Sequence, residues 1–159
     1  MNISIICVGR LKEKYWVDAC REYSKRLNGI CGFSIIEVDE ERIADSPNEA
    51  NISSTLEKEG RRLLAAVPKG AAVIAMCIEG RQKSSQALAA QIEELALGGI
   101  SSIAFIIGGS WGLSDEVKST ARIRLSMSEM TFPHQLARVM LCEQIYRAFQ
   151  INSGTKYHK

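Results

Sequence analysis

Two glycines in succession after an apolar run, with a third close behind, form the first candidate for chemistry in this 159-residue chain. Residues 103–113 read IAFIIGGSWGL. Glycine lacks a Cβ and reaches positive φ, so Gly108, Gly109 and Gly112 let a ligand approach backbone N–H and C=O groups at the carboxyl end of a strand. The spacing is not GxGxxG, the turn follows the fourth apolar run rather than the first, and no Gly-Lys-Ser/Thr is present. A dinucleotide fingerprint and a P-loop are therefore both excluded. By itself the turn is equally compatible with a plain strand-to-helix connection.

A second candidate is residues 125–147, LSMSEMTFPHQLARVMLCEQIYR, where a strand end, a loop and a helix entry meet with unusual polar content. Thr131 can cap the helix and Pro133 suits its first turn. Within the helix, Glu143 and Arg147 have the favourable i,i+4 order for a structural ion pair. Arg138 has no carboxylate three or four residues away, which leaves its guanidinium free for a phosphate or a base. His134, at the helix entry, reads as structural. The tail ends Tyr157-His158-Lys159, offering a ring for stacking, a group that titrates near neutrality and a cation. On composition alone such a tail is frayed. A further basic cluster, Arg10, Lys12 and Lys14 with Tyr15 and Trp16, follows the first apolar run. It reads either as a ligand loop or as a solvated loop with a core-facing Trp16.

These residues need a frame, and the pattern supplies one. Short β-branched runs at 3–8, 33–38, 72–78, 103–107 and 123–126 alternate with helical periodicity at 13–27, 47–67, 84–97, 114–121 and 133–150. That alternation predicts an α/β fold with a mostly parallel sheet and flanking helices. The third and fourth runs are continuously apolar, as central strands are. Ser84 is a credible N-cap for a helix carrying Leu88, Ile92 and Leu95. The last helix is apolar almost all round, through Leu136, Val139, Met140, Leu141, Ile145 and Phe149, so it predicts burial against a second copy of the chain.

At this length one domain, residues 1–159, is expected, with a core large enough to need no disulfide or metal. A composition of 46% hydrophobic and 24% charged residues excludes long disordered segments. The formal charge of +2 is too small for nucleic acid to be held by charge alone, so any RNA site must be local. No apolar stretch reaches the ~20 residues of a membrane span, and residues 1–8 are too short and lack the basic leader of a signal peptide. Cys7, Cys20, Cys31, Cys77 and Cys142 are scattered and odd in number, which predicts reduced thiols in a cytoplasmic protein without a metal site.

Taken together, GGSWGL, SMSEMTFPHQLARVMLCEQIYRA and the terminal YHK resemble the bacterial ribosomal RNA large subunit methyltransferase H family, and the resemblance runs from IICVGRLKEKYW to the last lysine. This is a SPOUT-class group that methylates N3 of a pseudouridine in 23S rRNA. The resemblance implies a C-terminal trefoil knot, an S-adenosylmethionine site in the knotted loops, a homodimer and an assembled ribosome as substrate. By position it implies cofactor contacts from Met76, Gly108, Met127, Ser128, Glu129, Met130, Thr131 and Phe132. Met76 stands where the family more often has Leu, a change of similar volume, and Trp111 occupies a variable position. The matching tail implies that Tyr157 and His158 fold over the target base, with Lys159 and Arg138 holding the RNA backbone, beside the partner subunit's cofactor pocket. Rival readings are a SPOUT enzyme for another RNA, a non-catalytic ribosome-binding factor and a flavodoxin-like ligand-binding domain.

Overall fold

The structure, a computed structural model, describes residues 1–158. Five parallel strands lie in one sheet in the order β2-β1-β4-β3-β5: β1 Asn2–Val8, β2 Gly32–Val38, β3 Ala72–Gln82, β4 Ser102–Ile107 and β5 Ile123–Ser126. Between and after them run α1 Lys14–Asn28, α2 Glu49–Ala65, α3 Ser85–Leu97, α4 Asp115–Thr120 and α5 His134–Asn152, and the chain closes in a 3₁₀ turn, Lys156–His158.

The parallel pairing follows from composition. β1 and β4 are almost wholly buried because helices cover both of their faces, and only runs such as IIC and IAFII tolerate that. Side chains alternate between two cores. Ile3, Ile5, Cys7, Ile103, Phe105 and Ile107 point toward Leu88 and Ile92 of α3 and Leu141 and Ile145 of α5, with Leu27 of α1 in the same cluster. Ile6, Val8, Ala104 and Ile106 point the other way, toward Leu63 of α2 and Val117 of α4. Each such isoleucine contributes roughly 1.5–3 kcal/mol by leaving water. Ser84 caps α3 as expected, its Oγ accepting from Ala87 N–H at 3.1 Å.

Two expectations are corrected here. Thr131 does not cap α5. The cap position is Pro133, which makes no side-chain cap bond, so the helix starts after the proline whose fixed φ introduces it. β3 does not stop at residue 78 but continues to Gln82 through an irregularity: Met76 and Arg81 both register with Leu125, so residues 77–80 arch over the backbone of β5. At the end of that arch, just before pairing resumes at Arg81, Gly80 lies so close that a Cβ would fall 2.6 Å from the carbonyl carbon of Leu125 and 2.7 Å from its nitrogen. Periodicity cannot register a detour of that kind.

Candidate functional site

The carboxyl ends of β4, β3 and β5 open onto one cavity of about 860 Å³, the place where parallel α/β sheets bind ligands. Its floor is apolar, from Met76, Ile107, Leu113 and Leu125. One wall is the glycine turn. Gly109 and Gly112 form an antiparallel bridge, Gly112 N–H donates to Gly109 C=O at 3.1 Å, and Gly112 has φ +87°. A Cβ on Gly108 would fall 2.0 Å from the Gly112 oxygen, so the turn can close only with glycine there. The opposite wall is the loop between β5 and α5. It is held by two hydroxyl bonds: Ser126 Oγ donates to Ser128 C=O at 2.9 Å, and Met130 N–H donates to Ser128 Oγ at 3.0 Å.

Of the residues expected to contact a cofactor, Met76, Gly108, Met127, Ser128, Met130, Thr131 and Phe132 line this cavity together. Glu129 is exposed and lies outside the lining. Met76 is separated from Met127 by 50 residues of chain, and the β3–β5 pairing brings them to one place. A greasy floor between two loops with open backbone groups fits an adenosine-sized group that is recognised by main-chain bonds and apolar contact.

Arg138 is elsewhere, and its expected freedom is overturned. Its side chain is 1% exposed, Nη1 sits 2.6 Å from Glu37 Oε1, and Nη2 donates to the carbonyls of Gly9 at 3.0 Å and Val8 at 3.3 Å. The carboxylate that pairs with it comes from β2, 101 residues away in sequence, so no i,i+4 inspection could reveal it. Arg138 therefore ties α5 to the ends of β1 and β2 instead of presenting its fork to solvent. His134 lines the cavity, and burial pushes its pKa down, Glu40 opposing and Arg138 assisting. Burial thus favours the neutral ring.

The tail is ordered as far as it is described. Tyr157 donates its hydroxyl to Glu143 Oε2 at 2.9 Å, while Arg147 pairs with Glu143 Oε1 at 2.7 Å and donates to the Tyr157 carbonyl at 3.3 Å. The expected Glu143–Arg147 pair is thus present, as the clamp of the terminal turn. The ring of Tyr157 packs edge-on against Tyr146 with centroids 4.9 Å apart, and the Arg147 guanidinium lies 4.9 Å over it. Burial and Glu143 raise the pKa of its phenol. In this arrangement the hydroxyl is already committed, so stacking on a base would have to displace Arg147 or Tyr146. The Tyr157 hydroxyl meets α5 at Glu143, six residues beyond Ala137 at the cavity, roughly 9 Å of helix. Lys159 and the side chain of His158 lie outside the described residues.

Sequence reading missed several residues of the cavity. Lys118, Glu79 and the exposed Trp111 line it, and only Trp111 carried a signal, through its place in the glycine turn. Cys7, Cys20 and Cys142 gather in the core beneath α5, and all five cysteines are free. Burial pushes the Cys7 thiol up to about 12, so it stays protonated and inert. Among the described residues no helix is long and apolar enough to cross a membrane.

Comparison with known proteins agrees with this geometry. A family model described as a predicted SPOUT methyltransferase matches residues 1–158. Proteins named ribosomal RNA large subunit methyltransferase H from Clostridium novyi and Latilactobacillus sakei are 52% and 50% identical to this chain, each over the whole of both chains. A probable methyltransferase from Bordetella pertussis has the same fold, with a TM-score of 0.59 at 14% identity, covering 93% of this chain and 96% of that one. A probable methylase family protein from Haemophilus influenzae gives 0.56 at 15%, covering 99% and 70%. With whole-length identity at this level and the glycine turn, the β5–α5 loop and the cavity in place between them, the chain belongs to the SPOUT methyltransferase family, in its ribosomal RNA large subunit methyltransferase H branch.

Proposed function

We propose that the protein methylates N3 of a pseudouridine in the 23S rRNA of an assembled ribosome, using S-adenosylmethionine, in the cytoplasm where that particle resides. The observation that carries this reading is the shared cavity at the ends of β3, β4 and β5, in a chain about half identical to relatives named for rRNA methylation. Met76, Gly108 and the 127–132 loop, with Glu129 at its outer edge, are assigned to hold the cofactor, which supplies an electrophilic methyl on a sulfonium. The chain itself mainly has to align the nucleophile with that methyl and keep water out.

N3 of pseudouridine is an imide nitrogen that becomes nucleophilic when its proton leaves. His134 at the cavity, whose neutral form burial favours, is one candidate acceptor, and His158 of the tail is the other. Two copies of the chain belong to this reading, because within one chain the Tyr157 hydroxyl is committed to Glu143, its ring to Tyr146 and Arg147, and not to its own cavity. A second copy docked along α5 would bring Tyr157, His158 and Lys159 to it. The half-buried Val139, Met140 and Phe149 supply the apolar surface for that contact. We also infer that the chain is threaded as a trefoil knot, supported by the arch of residues 77–80 over β5 and the return of α5 to the carbonyls of β1.

The low net charge favours recognition of an assembled particle's shape over free RNA. The test is transfer of labelled methyl from S-adenosylmethionine to ribosomes lacking the modification, read by nucleoside mass analysis, with pseudouridine-deficient ribosomes as the control. Label in N3-methylpseudouridine that disappears in the control is expected. Label in another nucleoside or another RNA would assign the enzyme a different target, and no label on any RNA despite cofactor binding would make it a binding factor.

A further inference from the structure

The cavity is lined by one carboxyl and one amino side chain that face each other. Glu79, on the arch of β3, and Lys118, on α4, line it, and Lys118 Nζ lies 2.6 Å from Glu79 Oε1. The ammonium holds the Glu79 carboxyl below its usual range, helped by the backbone N–H of Glu79 itself. The Lys118 side chain is 24% exposed and that of Glu79 43%. Ion pairs that wet contribute little to stability, so the needs of the fold do not explain one placed inside a ligand cavity whose nearby walls are Met76, Ile78, Leu113 and Leu125. An ammonium has three donors and a carboxylate about four acceptor positions, so the pair can bind a second pair of opposite charges.

S-adenosylmethionine brings such a pair. Its amino acid end carries an α-carboxylate and an α-ammonium, and burying either against an apolar wall would be costly. We propose that Lys118 and Glu79 receive this end, Lys118 binding the α-carboxylate and Glu79 the α-ammonium, which leaves the adenosine end to Gly108 and the 127–132 loop. The assignment rests on the reading of the cavity as the S-adenosylmethionine site. It also fixes the direction in which the cofactor lies, amino acid toward α4 and adenine toward the β5–α5 loop.

Calorimetric binding to the full chain separates the two ends of the cofactor. The ligands are S-adenosylhomocysteine, its analogue lacking the α-carboxylate, and 5′-methylthioadenosine, which has no amino acid end. The variants are Lys118→Met, close in length and uncharged, and Glu79→Gln. Both variants are expected to bind S-adenosylhomocysteine about tenfold or more weakly than wild type, the size of one charge-assisted hydrogen bond, while 5′-methylthioadenosine binds all three proteins equally. The analogue lacking the carboxylate should be insensitive to Lys118→Met and sensitive to Glu79→Gln. Unchanged S-adenosylhomocysteine affinity in both variants, or a matched loss of S-adenosylhomocysteine and 5′-methylthioadenosine, overturns the assignment, the second by making the pair a support of the cavity wall. Wild-type protein that binds none of the three ligands overturns the reading of the cavity itself.

Discussion

Arg138 shows how much one buried guanidinium organises. It joins three elements, since its own helix α5 is tied through it to the Glu37 carboxylate of β2 and to the carbonyls that end β1. Removing a buried member of a charge pair strands its partner and leaves carbonyls without donors. Because Glu37 retains some contact with water, Arg138→Ala is expected to destabilise the fold by about 2–4 kcal/mol in urea unfolding. Arg138→Lys should recover only part of that, because a single ammonium cannot serve a carboxylate and two carbonyls in the fork geometry. A direct role at the RNA backbone predicts something different: unchanged stability with weaker, salt-dependent ribosome binding. Unfolding curves and ribosome affinity measured on the same two variants therefore assign the residue.

Among the elements, the extended end of β3 decides most about the site. By arching over β5 it places Met76 on the cavity floor and Glu79 on its wall, and it fixes Leu125 against both of its ends. The arch depends on the absence of a side chain at residue 80, where the close atoms belong to the Arg124 and Leu125 backbone and cannot rotate away. Gly80→Ala is expected to cost about 2–3 kcal/mol by overpacking, seen as a Tm lower by several degrees. The same variant should lose S-adenosylhomocysteine affinity because Met76 and Glu79 move with the arch. An unchanged Tm and affinity would mean that the close approach of the two strands is not needed. The β5–α5 loop, by comparison, is held by Ser126 and Ser128 through hydroxyl bonds, a softer means of positioning than steric closure.

For the whole molecule, the governing fact is that the tail is clamped to α5 at Glu143 and Arg147, outside the lining of its own cavity. If the tail acts on the partner's cavity, two defective chains can repair one another. A chain truncated before Tyr157 and a full-length chain with the cavity blocked by Met127→Trp should each be inactive alone. Co-expressed, they are expected to restore roughly a quarter of wild-type methyl transfer, since half the dimers are mixed and one of two sites in each is intact. Mixing that restores nothing, or a protein that sediments as a monomer at working concentration, would show that each chain uses its own tail.

What the amino-acid order determined by itself was local and periodic. The continuous apolar runs of β3 and β4, in alternation with helical segments, pointed to a parallel sheet covered on both faces, which removes both sides of such strands from water. The glycines at 108, 109 and 112 marked a backbone-lined turn, Ser84 and the Glu143–Arg147 spacing announced a cap and an ion pair, and the three separated motifs identified the family. Tertiary structure alone decided which distant groups meet: Glu37 with Arg138, Lys118 with Glu79, Leu125 with both ends of the 77–80 arch, and Tyr157 with Glu143. Three of these four join residues from separate elements tens of residues apart, and the fourth joins a helix to the tail beyond it. Charge pairing and close packing depend on distance in space, and a one-dimensional pattern records only distance along the chain.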